Sequence, residues 1–316
     1  MLAHAGRKHY PVGRVILYNN ETPLHPRLWN GRLAGPGFGY TMNLVTKVSI
    51  AALLAVLMAF TAPAQNAITT IPVSATVPAA MPFAPGEELT YEGKIRKWLP
   101  TIAIADMTFT VSQPGSAGDL IVRAEARSKG TLLKMFRFSF LQEIESTFGA
   151  GDARVKSTRK HDVQKDRIRD SEAVFDYKDS RVTYVETDPK EPMRPPRKIA
   201  SEIGGDTYDM VSAIYRVRSL PLAVGSTFRL SVSDSGLVYD VPVKVTAREM
   251  QRTVLGKVMC FRIEPQVFGP GRLIEREGSM IIWMTDDRRR VPVRSQVNSP
   301  IGRIEIKLQA ARNLKS

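Results

Sequence analysis

The chain has 316 residues, 43% hydrophobic and 24% charged, with a formal net charge of +14. That usage excludes a low-complexity or fibrous chain and provides enough length for one large domain or two small ones. A single cysteine, Cys260, excludes an internal disulfide, so the fold must rest on burial.

Near the N-terminus one apolar run stands out, residues 48–60. It is shorter than the roughly 20 residues a membrane-spanning helix needs. Lys47 gives it a positive flank, and Thr61, Ala62, Pro63 and Ala64 a small-residue end. Ala62 and Ala64 match the A-x-A cleavage pattern, which places the cut before Gln65. Counted from Met42, residues 42–64 have the length of a signal peptide; counted from Met1, the first region is far too long. Residues 1–41 are therefore expected to be a non-native upstream extension. The mature protein is expected in the periplasm, with no transmembrane anchor after cleavage. No cysteine lies near the cut, which excludes a lipid on a new N-terminal cysteine. Residues 1–64 carry six of the 45 Lys and Arg and one of the 31 acids, so about +9 remains on the mature chain.

Residues 65–81 are uncharged and rich in Ala, Thr, Val and Pro, the composition of a flexible tether. One β-rich domain is expected over residues 82–312. Leu89, Tyr91, Gly93 and Ile95 alternate with polar neighbours, as do Ala103 through Val111 at odd positions. Leu120, Val122, Ala124 and Ala126 repeat the pattern, then Phe136, Phe138, Phe140, Ile144 and Phe148. Later come Phe228, Leu230 and Val232; Tyr239, Val241, Val243 and Val245; and Ile304, Ile306, Leu308 and Ala310. Period two marks half-buried antiparallel strands, roughly ten to twelve in all, joined by tight turns such as Asp234-Ser235-Gly236 and Asp286-Asp287. One stretch breaks the period: Met210, Ala213, Ile214 and Val217 have helical spacing, with Asp206 as the cap and Ser219 as the last position before Pro221. The basic, Pro-rich run 188–198 before it reads as a loop. The fold class is mainly β, a strongly curved antiparallel sheet or half-open barrel with one main helix.

The landmarks Pro82-Phe83-Ala84-Pro85-Gly86-Glu87, then Leu89 and Tyr91, look like the start of a bacterial family, Domain of Unknown Function 3108. Asp209, Ser212, Ala213, Tyr215, Arg218, Leu220-Pro221-Leu222 and Gly225 are similar to its middle, and Trp283, Asp286-Asp287 and Arg290-Val291-Pro292-Val293 to its late hairpin. The resemblance covers about residues 81–311 and implies a β-rich envelope protein. It carries no agreed activity, so it transfers no site residue. The pattern is also similar to the lipoprotein-carrier architecture, a curved antiparallel sheet closing over helices.

The mature chain holds one histidine, His161, and one cysteine, too few for a zinc site of nitrogen and sulfur ligands. No nucleophile-elbow or D-x-D-x-D-G motif occurs, and no metal or cofactor is expected. His161 reads as a solvated strand residue, Cys260 as a small buried hydrophobe, and Asp286-Asp287 as turn formers. The scattered basic residues lack interleaved aromatics, which argues against nucleic acid. A lipid or an anionic envelope component is the partner expected instead. The favoured function is non-enzymatic binding of an apolar or amphiphilic ligand, faced by Phe136, Phe138, Phe140, Met210, Ile214 and Val217. The alternatives are a structural or interaction module of an envelope complex, and a carboxylate-based hydrolase. The sequence leaves the oligomeric state open.

Overall fold

The computed structural model describes residues 81–96, 101–115, 118–149, 154–300 and 302–315, with the backbone of Ile16–Leu17. The expected signal peptide, its cut at Ala62, Ala64 and Gln65, the rest of the upstream extension and the tether through residue 80 lie outside the described residues.

The first strands are β1 (Glu88–Arg96), β2 (Ile102–Ser112) and β3 (Leu120–Ser128), followed by a short helix α1 (Gly130–Phe136). Next come β4 (Phe140–Phe148), β5 (Val155–Gln164), β6 (Arg167–Asp176), β7 (Arg181–Thr187), β8 (Arg197–Glu202) and β9 (Thr207–Tyr208). After helix α2 (Met210–Arg218) the chain forms β10 (Thr227–Asp234), β11 (Leu237–Thr253), β12 (Gly256–Pro265), β13 (Ser279–Thr285), β14 (Pro292–Ser299) and β15 (Gly302–Arg312).

All fifteen strands belong to one sheet, ordered β8 back to β1 and then β15 back to β9, with Ile16–Leu17 pairing outside β8. The first and last strands meet in its middle, Tyr91 opposite Leu308 and Ile95 opposite Ile304. The two outer strands, β8 and β9, are therefore neighbours in sequence, separated only by residues 203–206. Fifteen strands laid flat would hold those edges roughly 65 Å apart. The connection between them reaches at most about 18 Å. The sheet must curl until its edges approach. Register shifts at Gly93/Lys94, Thr147/Phe148, Val245/Ala247, Trp283/Met284 and Leu308/Ala310 supply the local bends.

The edges meet at Gly236, in the β10–β11 turn, whose carbonyl accepts a 2.6 Å hydrogen bond from Ser201 Oγ on β8. A Cβ on Gly236 would stand 2.7 Å from the Cβ of Tyr184 and 2.9 Å from that of Ile199, so the approach requires glycine. The expected curved, barrel-like sheet is present, with more strands than periodicity revealed. Inward positions alternate as expected along β1 (Leu89, Tyr91), β3 (Val122, Ala124, Ala126) and β15 (Ile304, Ile306, Leu308), all buried.

Three expectations are corrected. Phe136 ends α1 and Phe138 lies in the link after it, so the strand begins only at Phe140. The helical cap is Asp209, not Asp206: Asp209 stands directly before Met210, is extended (φ −80°, ψ 178°) and places its carboxylate on the Val211 and Ser212 amides. The basic run ends as a strand, since β8 begins at Arg197. The helix does stop at Arg218 with Ser219 as its C-cap.

Candidate functional site

Helix α2 follows the seam directly and crosses the interior of the curled sheet, fixed at both ends. At its start, Asp209 accepts hydrogen bonds from Ser146 Oγ of β4 (2.8 Å) and Thr158 Oγ1 of β5 (3.0 Å), besides the first-turn amides. At its end, Arg218 forms a two-pronged pair with Glu87, 2.6 Å and 2.8 Å, with both side chains fully buried. The guanidinium also donates to the Arg289 carbonyl at 3.0 Å and stacks on the rings of Phe83 and Tyr215. Those two rings meet edge to face at 4.8 Å. Tyr91 donates to the Pro292 carbonyl at 2.8 Å. The three stretches that carry the family resemblance, far apart in sequence, thus converge on one end of α2.

With both ends tied, the faces of the helix differ. Val211, Tyr215, Val217 and Arg218 are buried, whereas Met210, Ala213 and Ile214 are only half-buried. That apolar i, i+3, i+4 stripe borders a cleft with two lobes. One lobe, about 70 Å³, lies against Leu89, Met107, Phe109 and Ile306, with Tyr215 and Ser295 also on its walls. The other, also about 70 Å³, lies against Val217, Val243, Ile263, Leu273 and Met284. Met210, Ile214, Met280 and Ile282 border both. The walls are almost wholly apolar, and Arg218 is the one charged residue on them. Met210 also borders a polar void of about 40 Å³ shared with Lys160, Ser171 and Asp209.

Of the residues expected to face a ligand, Met210, Ile214 and Val217 line this cleft. Phe138 and Phe140 do not; they are buried with ring centroids 6.2 Å apart and fill the core. The side chain of Phe136 lies outside the described residues. Sequence periodicity missed Tyr215 and Ser295. Ser295 leaves a trace, a hydroxyl among the inward Val291, Val293 and Val297 of a regular alternation.

The polar chemistry is committed elsewhere. Buried Glu87 is held by Arg218, and buried Asp209 caps the helix. Buried Asp162 accepts from Gln142, Gln164 and Arg167. Asp287 forms the expected turn, taking the Arg289 and Arg290 amides and Thr285 Oγ1. On the outer face of β3–β7 a shallow groove of about 790 Å³ is lined by Arg123, Glu145, Arg159, His161 and Asp170. Its charges pair across neighbouring strands, Arg123–Glu145 at 2.5 Å and Arg159–Glu172 at 3.0 Å, and His161 Nδ1 is hydrogen-bonded to Asp170 at 2.5 Å. Such exposed pairs mark a solvated sheet face. Among the described residues no group of His, Cys, Asp and Glu could hold a metal ion. Burial pushes the Cys260 thiol up to about 12, with Asp287, Glu249 and Asp286 adding to the shift. It also holds the Tyr215 phenol well above its ordinary range, so that hydroxyl stays a neutral donor.

Residues 88–309 match the model of the family described as Protein of unknown function (DUF3108). No curated protein matches the chain. Among solved structures, a beta-barrel-like protein of Domain of Unknown Function DUF1849 from Brucella abortus is similar, with a TM-score of 0.52 at 12% identity over 75% of this chain and 100% of that one. A protein from Bacteroides fragilis described as exported, with a YmcC-like fold, has a TM-score of 0.27 at 11% identity, covering 74% of this chain and 98% of that one. A protein from Parabacteroides distasonis described as a lipoprotein gives 0.28 at 10% identity, covering 73% and 97%. The Brucella likeness agrees with the barrel-like fold and carries no activity.

Proposed function

The chain belongs to the DUF3108 family, whose description assigns no activity, and on its own geometry we propose that it is an exported, non-enzymatic binding protein. Its ligand is apolar or amphiphilic, and the cleft beside α2 takes the apolar part. Export rests on residues 42–64, which have the parts of a signal peptide in order. Among the described residues no helix is long and apolar enough to cross a membrane.

The observation that carries the reading is the half-buried stripe Met210, Ala213 and Ile214 on a helix enclosed by a sheet. A helix whose only task is to fill a barrel would bury that stripe. Instead it faces two voids of about 70 Å³ each. Apolar voids of that size stay dry and cost about 1.5–2 kcal/mol apiece. An apolar chain entering them would recover that cost. Met210 and Met280, at the junction of the lobes, are flexible enough to widen the passage for a longer body.

The hydrolase alternative has less support, since Glu87, Asp162 and Asp209 are each bound to structural partners. The decisive variant is Ile214→Phe, which fills the junction. The fluorescence of N-phenylnaphthylamine, a neutral apolar probe, should rise with the wild type and not with the variant, at unchanged or slightly higher stability. Equal binding by both would place the probe elsewhere and remove the cleft from the proposal.

A further inference from the structure

The curled sheet closes by laying a turn on the inner face of β7 and β8 rather than by joining strand to strand. The β10–β11 turn nears the Cβ atoms of Tyr184 and Ile199, and its Gly236 carbonyl accepts from Ser201 Oγ; all three side chains are buried and inward. The lateral edge of β8 lies outside this contact. On that side its ladder takes only two described residues, Ile16 opposite Ala200 and Leu17 opposite Ile199. Arg197, Lys198, Ser201 and Glu202 pair with β7 alone. A strand edge presents main-chain donors and acceptors at alternate residues, a ready template for another strand. The Ile16–Leu17 pairing shows that an antiparallel strand fits there. Under the export reading above, cleavage before Gln65 takes those two residues away and frees the whole edge.

We propose that the β8 edge, clear of Ile16–Leu17, is the pairing surface for a second copy of this chain, the two β8 strands running antiparallel about a two-fold axis. Such an axis stands normal to the sheet and keeps inward faces inward, so only residues of one face can be paired. The register centred on Ala200 sets Lys198 opposite Glu202 of the second copy, at both ends and on the outer face. Lys198 and Glu202 are exposed, and neither holds an ion-pair partner among the described residues. Centring on Ile199 instead would put Lys198 opposite Ala200 and Glu202 opposite Pro196, with no charge matched. Charge therefore selects both the occupant and the register, because the strand is its own complement.

The test is sedimentation velocity of the full chain, synthesised without membranes so that it stays uncut, up to high micromolar concentration. The wild type, with Ile16–Leu17 on the edge, should be monomeric. Ile16→Pro with Leu17→Pro should dimerise, because successive strand residues turn their N–H groups to opposite sides and one proline must delete a bond to β8. Adding Lys198→Glu or Glu202→Lys to that parent sets like charges opposite each other twice, and each should weaken the dimer at least about tenfold. Both positions are exposed, so the fold is not at stake. Mixed in equal amounts, the two variants match every pair again and should dimerise with each other as tightly as the parent. A parent that stays monomeric, a wild type that dimerises equally, single variants as tight as the parent, or a mixture no tighter than its components overturns the proposal. Intact mass of the protein purified from cells checks the export reading separately: residues 16–17 retained there would sink export and leave the pairing standing.

Discussion

Replacing Gly236 by alanine tests whether the sheet really closes on itself. Gly236 has φ of +81°, where an L-residue is strained by about 1–2 kcal/mol. The added Cβ would also stand 2.7 Å and 2.9 Å from the Cβ atoms of Tyr184 and Ile199. Those atoms are fixed to strands β7 and β8 and cannot swing aside, so overpacking adds about 1–3 kcal/mol. Gly256, the first residue of β12 after its turn, is the control: its φ is +90°, yet a Cβ there meets nothing within 4 Å. Gly256→Ala should carry only the backbone strain. Urea denaturation followed by circular dichroism gives both losses, and Gly236→Ala should exceed its control by about 1–3 kcal/mol. Equal losses would mean that β7 and β8 do not approach the β10–β11 turn, and the barrel-like closure would be wrong.

Three further outcomes follow from the interior. Glu87→Leu strands the buried Arg218 guanidinium and should cost about 3–5 kcal/mol by urea denaturation, whereas adding Arg218→Met should recover much of it; a loss below about 1 kcal/mol would show that water reaches the pair. Cys260 is buried with its thiol raised to about 12, so an aromatic disulfide reagent at pH 8 should label it only as fast as the protein unfolds, and rapid native labelling would expose β12. The same raised value means that its contribution to stability is present below the ordinary thiol range and lost as pH climbs toward the folded value. Burial works to raise Asp287, yet hydrogen bonds from Arg289 and Thr285 outweigh it and hold the carboxyl below its ordinary value; its contribution is therefore present above that ordinary value and lost as pH falls through the depressed one. Asp287→Ala should accordingly lose less stability than the wild type between pH 7 and pH 3.

The parts of this fold that show in the sequence are those where one face is apolar. Tyr91, Val122 and Ile306 alternate with polar neighbours because water lies on one side of the sheet and the apolar interior on the other. Strand β5 is nearly silent because two of its buried positions, Asp162 and Gln164, are polar, an alternation of polar against charged that hydropathy does not register. In β6 and β7 the buried apolar positions are only two apiece, Ala173 and Phe175, then Val182 and Tyr184. The Phe136, Phe138, Phe140 series misled because two-residue spacing runs across a helix end, where Arg137 takes a positive φ of 50°. On α2, the three-and-four spacing marked Met210, Ile214 and Val217, which border the cleft, while the face carrying Tyr215 and Arg218 owes its place to groups 124 and 131 residues away in sequence, Tyr91 and Glu87. Only the curl of the sheet brings those together.

Native mass spectrometry of the full chain purified from cells without detergent tests the binding reading most directly. The wild type should carry a bound, extractable apolar or amphiphilic molecule. The Ile214→Phe variant, folded but with its cleft filled, should appear at the bare protein mass. A wild type with no adduct, or an adduct retained equally by the variant, would contradict ligand binding in the cleft beside α2.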